Sequence, residues 1–337
     1  MDRIPTLDGW RGIAILLVLV THLQVTLLGH LFHGYRWMDL GQHGVTLFFV
    51  LSGYLITSRL LREKKIDLKA FYLRRFFRLM PCAWTFLLVL GIASAIARTA
   101  FIGRDAWSCL FFFRNYYPAN LTPSDFRTEH FWSLSMEEQF YLVWPPILAL
   151  SGRTRALWIA AAATIACAVF RFTHWESYNR VFAYKHTEVR IDAILVGCIF
   201  ALIFQSAAIR GWFVRFGSLL FWVLLPVLGW YIYHYVWLIP LAESTTMAAL
   251  IACTSCAPSS IAGRVLEWKH LKFLGVISYS LYVWQQAVLF IPLAYIGAVF
   301  LPLVGILSYA WIERPCIALG RRVVQGLRPA PGTAAVA

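Results

Sequence analysis

Charge is scarce in this chain: of its 337 residues only 14% are charged, and only 16 are Asp or Glu. A soluble domain carries about 25% charged and about 45–50% apolar residues. Here 60% are hydrophobic and 16% aromatic, with a mean hydropathy of +0.66. So little polar surface cannot coat so much apolar surface. That excludes a water-soluble enzyme, and the same composition excludes a disordered chain. Cysteine is sparse too. The seven thiols fall mostly in apolar runs, where they act as small hydrophobes rather than as a disulfide framework. Cys253 and Cys256 have C-x-x-C spacing, but no second pair or nearby His completes a metal site, so no metal is expected. No internal repeat is evident. No signal peptide is expected either, because Asp8 and Arg11 crowd the first apolar run and no small-residue cleavage site follows it.

What remains is apolar sequence in long runs. About ten candidate spans lie near 12–29, 44–61, 79–97, 131–150, 156–173, 191–209, 217–235, 238–256, 274–291 and 296–312. The expected fold class is all-α, a polytopic transmembrane helical bundle with short loops. Glu137 and Glu138 weaken the fourth span, and Glu243 interrupts the eighth. The transmembrane domain is expected over 1–315. The tail 316–337 is basic at first, then rich in Pro and Ala after Arg328.

Lys and Arg concentrate on the cytoplasmic side of membrane proteins, so their positions orient the spans. The link between spans two and three holds Arg59, Arg62, Lys64, Lys65, Lys69, Arg74, Arg75 and Arg78 against only Glu63 and Asp67. With that link inside, an even number of spans puts both termini in the cytoplasm. Arg153, Arg155, Arg210, Arg215, Arg264 and Lys269 then also fall inside, while Arg180, Lys185 and Arg190 form the main outside exception. The net charge of +14 is therefore a topology signal and not a nucleic-acid signature. In the outer loop 98–130, Trp107, Phe111, Phe112 and Phe113 are expected as interfacial anchors.

Ionisable groups inside a bilayer cost about 2.5–3.5 kcal/mol each on insertion scales, so each invites a functional reading. Arg11 and His22 are separated by about 20° around a helix and about 16 Å along it, which puts them on one face of the first span. Glu138 lies about 18 Å above the inner end of the fourth span near Leu150, close to the depth of His22. Adjacent Glu137 points about 100° away, so only one of the two is expected to pair with His22. A histidine with a carboxylate serves equally well as an oriented general base or as the proton relay of a transporter. Arg75 and Arg78, three residues apart at the start of span three, share a face suited to phosphate binding or to plain interfacial anchoring. Glu188, Arg190 and Asp192, at the outer start of span six, suit either contact with an external acceptor or capping of that helix.

In order along the chain, several segments resemble acyltransferase family 3, the integral-membrane acyltransferases of bacterial glycans and related acceptors. Leu7-Asp8-Gly9-Trp10-Arg11-Gly12 with His22 resembles the family's opening and its Arg-x10-His motif. Phe48 through Tyr54 resembles the second-span signature, and Arg75 with Arg78 the Arg-x-x-Arg motif. Trp132 through Tyr141 resembles the Trp-Ser-Leu-Ser-x-Glu-Glu-Gln-Phe-Tyr segment. Arg190-Ile191-Asp192-Ala193, Ile277 through Trp284, and Ile312-Glu313-Arg314-Pro315 match later landmarks. In one departure, Gln285 stands where many members carry His after the Trp of the ninth span. A glutamine cannot take a proton near neutral pH, which leaves His22 as the candidate base.

The resemblance implies transfer of an acyl group, acetyl by default, from cytoplasmic acyl-CoA as co-substrate. The acceptor would be a hydroxyl of a glycan, a lipid-linked sugar or a glycosylated small molecule. It implies a multi-pass protein of the bacterial cytoplasmic (inner) membrane, without nucleic acid as a partner and without the extracytoplasmic hydrolase-like domain of some relatives. Arg11, Arg75 and Arg78 are then expected to hold the CoA phosphates, and His22 to act as base. Glu138, or else Glu137, would orient His22. Ser135, Arg190, Asp192 and Gln285 are expected on the acceptor side, with Ser135, Ser52 and Gln285 as oxyanion-donor candidates. A proton-coupled transporter using His22 and Glu138 is the alternative.

Overall fold

A computed structural model of the chain describes residues 6–27, 40–98, 103–117, 126–174, 185–234, 240–289 and 294–327. These residues are almost entirely helical, and no strand occurs among them. The helices are α1 (Thr6–Leu27), α2 (Leu40–Leu60), α3 (Leu68–Ile96), α4 (Gly103–Leu110), α5 (Phe131–Thr173), α6 (Thr187–Arg190) and α7 (Asp192–Ile203). They continue with α8 (Ala207–His234), α9 (Pro240–Cys256), α10 (Ile261–Leu266), α11 (Lys269–Leu289), α12 (Ala294–Ser308) and α13 (Arg314–Gly326).

Six helical stretches are long and apolar enough to cross a membrane: Thr6–Gln24, Leu40–Leu60, Leu68–Ile96, Phe126–Thr173, Ala207–His234 and Tyr295–Gly326. The fourth holds two of the expected spans. Its 48 residues exceed a single crossing of about 20, and α5 is interrupted at Gly152, whose φ of 70° lies in the left-handed region open to glycine. The remaining expected segments are helical as α7, α9 and α11, but they are shorter or more polar. Their side chains are largely buried against other helices, so they need not be apolar all round.

At the centre, α2 packs on α1 and α7, and α11 on α1 and α12. Close approach depends on glycine. A β-carbon on Gly275 would lie 1.8 Å from the Asp8 carbonyl oxygen, and one on Gly53 1.9 Å from that of Ile194. Without hydrophobic drive between helices in lipid, such small-residue contacts let backbones meet and gain dispersion energy. α1 and α11 run parallel, since Gly12 meets Leu271 and His22 meets Gln286 further along. The periphery is apolar and exposed, with Leu88, Ile92, Trp158, Phe172, Trp222 and Val299 turned outward. Trp107 and Phe111 stack and are exposed, as interfacial anchors should be. Phe112 departs from that expectation: its backbone turns at a φ of 54° and the ring is buried.

Candidate functional site

Helical spacing gathers the polar groups. On α5, Ser133, Glu137 and Tyr141 recur every fourth residue and so share one face; on α11, Ser278 and Tyr282 do the same. With Ser52 from α2, these side chains line a narrow cavity of about 60 Å³. Ser52 donates to Glu137 Oε1 at 2.8 Å, and the Tyr141 hydroxyl lies 2.9 Å from Glu137 Oε2 and 3.0 Å from Ser52 Oγ. At the far end the Ser133 and Tyr282 hydroxyls are 2.6 Å apart, and both reach the His130 carbonyl oxygen, at 3.2 and 3.3 Å.

A wider vestibule of about 490 Å³ lies at the other end, with Asp8, Arg59, Arg62, Glu63 and Arg74 in its wall. Arg11, Arg75 and Arg78 line both spaces and form the boundary between them. Arg75 rests on the Tyr141 ring, 4.1 Å from its centroid, and couples electrostatically with Glu137 and Glu138. Buried Glu313, which accepts from Ser280 at 2.9 Å, balances Arg78 and Arg11 from behind. Among the described residues no hydrogen bond or ion pair engages Arg11, Arg75 or Arg78. Three guanidinium groups facing a cavity suit a phosphate or another multivalent anion by their chemistry.

His22 stands apart from both cavities. Its Nδ1 is 2.9 Å from the Val18 carbonyl oxygen, which must accept, so Nδ1 carries the proton and Nε2 the lone pair. Nε2 faces the Gln286 amide nitrogen at 3.4 Å. His22 makes no hydrogen bond to Glu137 or Glu138. Helix ends explain the difference from the expected pairing. The Tyr72 hydroxyl, near the start of α3, donates to the Leu142 carbonyl, and Trp144 donates to Thr57. α5 therefore extends well past the start of α1, and counting upward from Leu150 sets the glutamates too high. Glu137 shares the inner cavity with Arg11, and His130, about 10 Å earlier on the same chain, is the α5-side residue that meets His22 through Gln286. Glu138 is partly buried and makes no hydrogen bond among the described residues.

The four expected acceptor-side residues line neither cavity. Ser135 is buried and accepts the backbone N–H of Arg114 at 3.1 Å, anchoring the loop after α4. Asp192, the first residue of α7, is gripped by Arg171 at 2.7 Å and accepts the Ala193 N–H at 3.1 Å. Buried Arg190 donates to Thr46 at 2.7 Å, tying α6 to α2. Gln285 is fully buried, with no partner for either amide atom among the described residues, and it is the next residue, Gln286, that reaches His22. His130, Gln286, Tyr282 and Ser133 are site residues missed in the sequence. Gln286 was within reach, as it continues the four-residue stripe of Ser278 and Tyr282.

Comparison with known proteins bears on this arrangement. Residues 4–313 match a family described as an acyltransferase domain. The chain is 30% identical to "Putative peptidoglycan O-acetyltransferase YrhL" of Bacillus subtilis (strain 168), over 95% of this chain and 56% of that protein. It is 27% identical to "O-acetyltransferase OatA" of Staphylococcus aureus (strain NCTC 8325 / PS 47), over 93% of this chain and 57% of that protein. The chain thus spans a little over half the length of these relatives. No solved structure matches it.

Proposed function

The chain belongs to this acyltransferase domain family and is a multi-pass membrane protein, and from that premise we propose that it is a membrane O-acyltransferase. It moves an acetyl group from cytoplasmic acyl-CoA to a hydroxyl of a peptidoglycan-type glycan. In this reading the chain crosses a bacterial inner membrane ten times with both termini inside, and the Arg-lined vestibule opens on the cytoplasmic face; the basic link between α2 and α3 supports that orientation. The observation that carries the reading is the position of Arg11, Arg75 and Arg78: unpaired among the described residues and shared by vestibule and inner cavity, with Arg11 about 16 Å below His22 along α1. That separation is comparable to a phosphopantetheine arm. Phosphates of the donor bind the arginines, and the thioester passes the cavity toward His22.

There the acceptor hydroxyl attacks the thioester carbonyl carbon while His22 Nε2 takes its proton. The new C–O bond forms, the carbonyl electron pair moves to oxygen, and collapse breaks the C–S bond. His22 returns the proton to the departing thiolate, restoring its own state. Glu137, held by Ser52 and Tyr141, keeps negative charge beside Arg75 and Arg11 and helps position the donor rather than His22. A transporter relay would need His22 and Glu138 connected, and no hydrogen bond joins them.

The test uses the purified chain in nanodiscs with radiolabelled acetyl-CoA and solubilised peptidoglycan fragments. Label is expected to move to the glycan with wild type and not with His22→Ala. No transfer by wild type, together with unchanged envelope acetylation in cells carrying His22→Ala, overturns the reading.

A further inference from the structure

We propose that Gln286 donates the hydrogen bond that stabilises the thioester oxyanion, and that His130 acts as the positioning residue holding its amide in the donating orientation. The inference rests on the reading of His22 as the base. Gln286 Oε1 lies 3.0 Å from the His130 backbone nitrogen and 2.8 Å from His130 Nδ1. A backbone N–H can only donate, so the oxygen end of the amide must face His130. The NH₂ end is thereby turned toward His22 Nε2, 3.4 Å away.

The Val18 carbonyl holds His22 in the tautomer that accepts at Nε2, so both neighbours agree on which atoms meet. An amide NH₂ carries two hydrogens. One points at His22, and the other has no acceptor among the described residues. Both glutamine and histidine are buried, at 4% and 2% exposure, where a preorganised donor acts with little competition from water. The location suits the task. The His130 carbonyl caps the Ser133–Tyr282 end of the inner cavity, so Gln286 stands between the thioester's path and the base. As the acceptor hydroxyl takes the place of the long Gln286–His22 contact, the negative charge growing on the carbonyl oxygen meets the NH₂ group. When the C–S bond breaks, the oxygen's electron pair re-forms the carbonyl, the charge leaves on the thiolate sulfur and the hydrogen bond relaxes.

The experiment measures kcat and acetyl-CoA KM in nanodiscs, with acetyl-CoA and solubilised peptidoglycan fragments as substrates. Gln286→Met keeps length and removes both donors; Gln286→Glu keeps shape and removes them, and serves if the first variant does not fold. Each is expected to lower kcat by about 10²–10³-fold, with KM changed by less than about twofold. His130→Ala is expected to lower kcat by about tenfold alone and by nothing further in the Gln286→Met background, the signature of acting through that amide. His22→Ala separates the failures. If it keeps wild-type kcat, the reading of the base falls and this inference with it. If it is inactive while both Gln286 variants keep kcat within about threefold of wild type, the oxyanion role is overturned and the base stands. An additive loss in the double variant overturns the part given to His130.

Discussion

Two groups of arginines, one buried and one half-buried, lie in this molecule and contrast in their partners. Around α5, α7 and α2, each guanidinium meets an acceptor supplied by the protein: Arg171 takes Asp192 and the Val189 carbonyl, and Arg190 takes Thr46. Nearby, His43 on α2 meets Glu243 on α9 at 2.7 Å. At the boundary of the two cavities, Arg11, Arg75 and Arg78 meet no carboxylate among the described residues closely enough to pair, and the acids there, Glu137 and Glu313, are held by hydroxyls instead. Charge satisfied from within clamps helices together. Charge left without such a partner is, in the proposed reading, where the anionic donor enters. Sequence position does not separate the two groups, since each of these residues lies at or near an end of an apolar run.

The contrast can be broken by exchanging readouts. His22→Ala should have the largest effect, a fall in kcat of about 10²–10⁴-fold with the thermal midpoint in nanodiscs unchanged. On the clamping side, Asp192→Ala strands the Arg171 charge in a buried site and should cost about 3–5 kcal/mol of stability. It should leave acetyl-CoA affinity unchanged in the fraction that folds, and thermal unfolding with parallel binding assays checks both halves. Glu243→Gln should be milder, about 1–3 kcal/mol, because a neutral amide can still accept from His43. Ser135→Ala should be smallest, about 1 kcal/mol from the lost acceptor for the Arg114 N–H, with kcat changed by less than about twofold. A large kcat loss in Ser135→Ala would move that residue from loop anchor to site.

Helices were readily legible in the sequence, because lipid demands long apolar runs and the runs could be counted. Helix ends were not, and they mattered more for the site. His22 and Glu138 were matched by height on the assumption that α1 and α5 end together, whereas α5 reaches beyond α1 and it is His130, not Glu138, that meets His22 through Gln286. Azimuth was lost in the same way, since α1 packs on α2 and α11 while α5 packs on α7, so that Gln286 comes between. Arg75 and Arg78 were legible because three-residue spacing holds wherever the helix points. Gln285 attracted notice as the residue in a family position, yet side-chain direction on α11 turned its neighbour toward His22. Arg190 and Asp192 could be read as binding or capping, and only their partners, Thr46 and Arg171, separate the two.

The central claim is that the unpaired arginines are the landing site of an anionic acyl donor. Its most direct test is equilibrium binding of radiolabelled acetyl-CoA to the chain in nanodiscs, comparing wild type, Arg75→Ala with Arg78→Ala, and Asp192→Asn. Losing two charge-assisted contacts should weaken binding about 100-fold in the double arginine variant, while Asp192→Asn should bind as wild type does. Equal affinity in the double arginine variant and wild type would contradict the account and return Arg75 and Arg78 to the role of interfacial anchors.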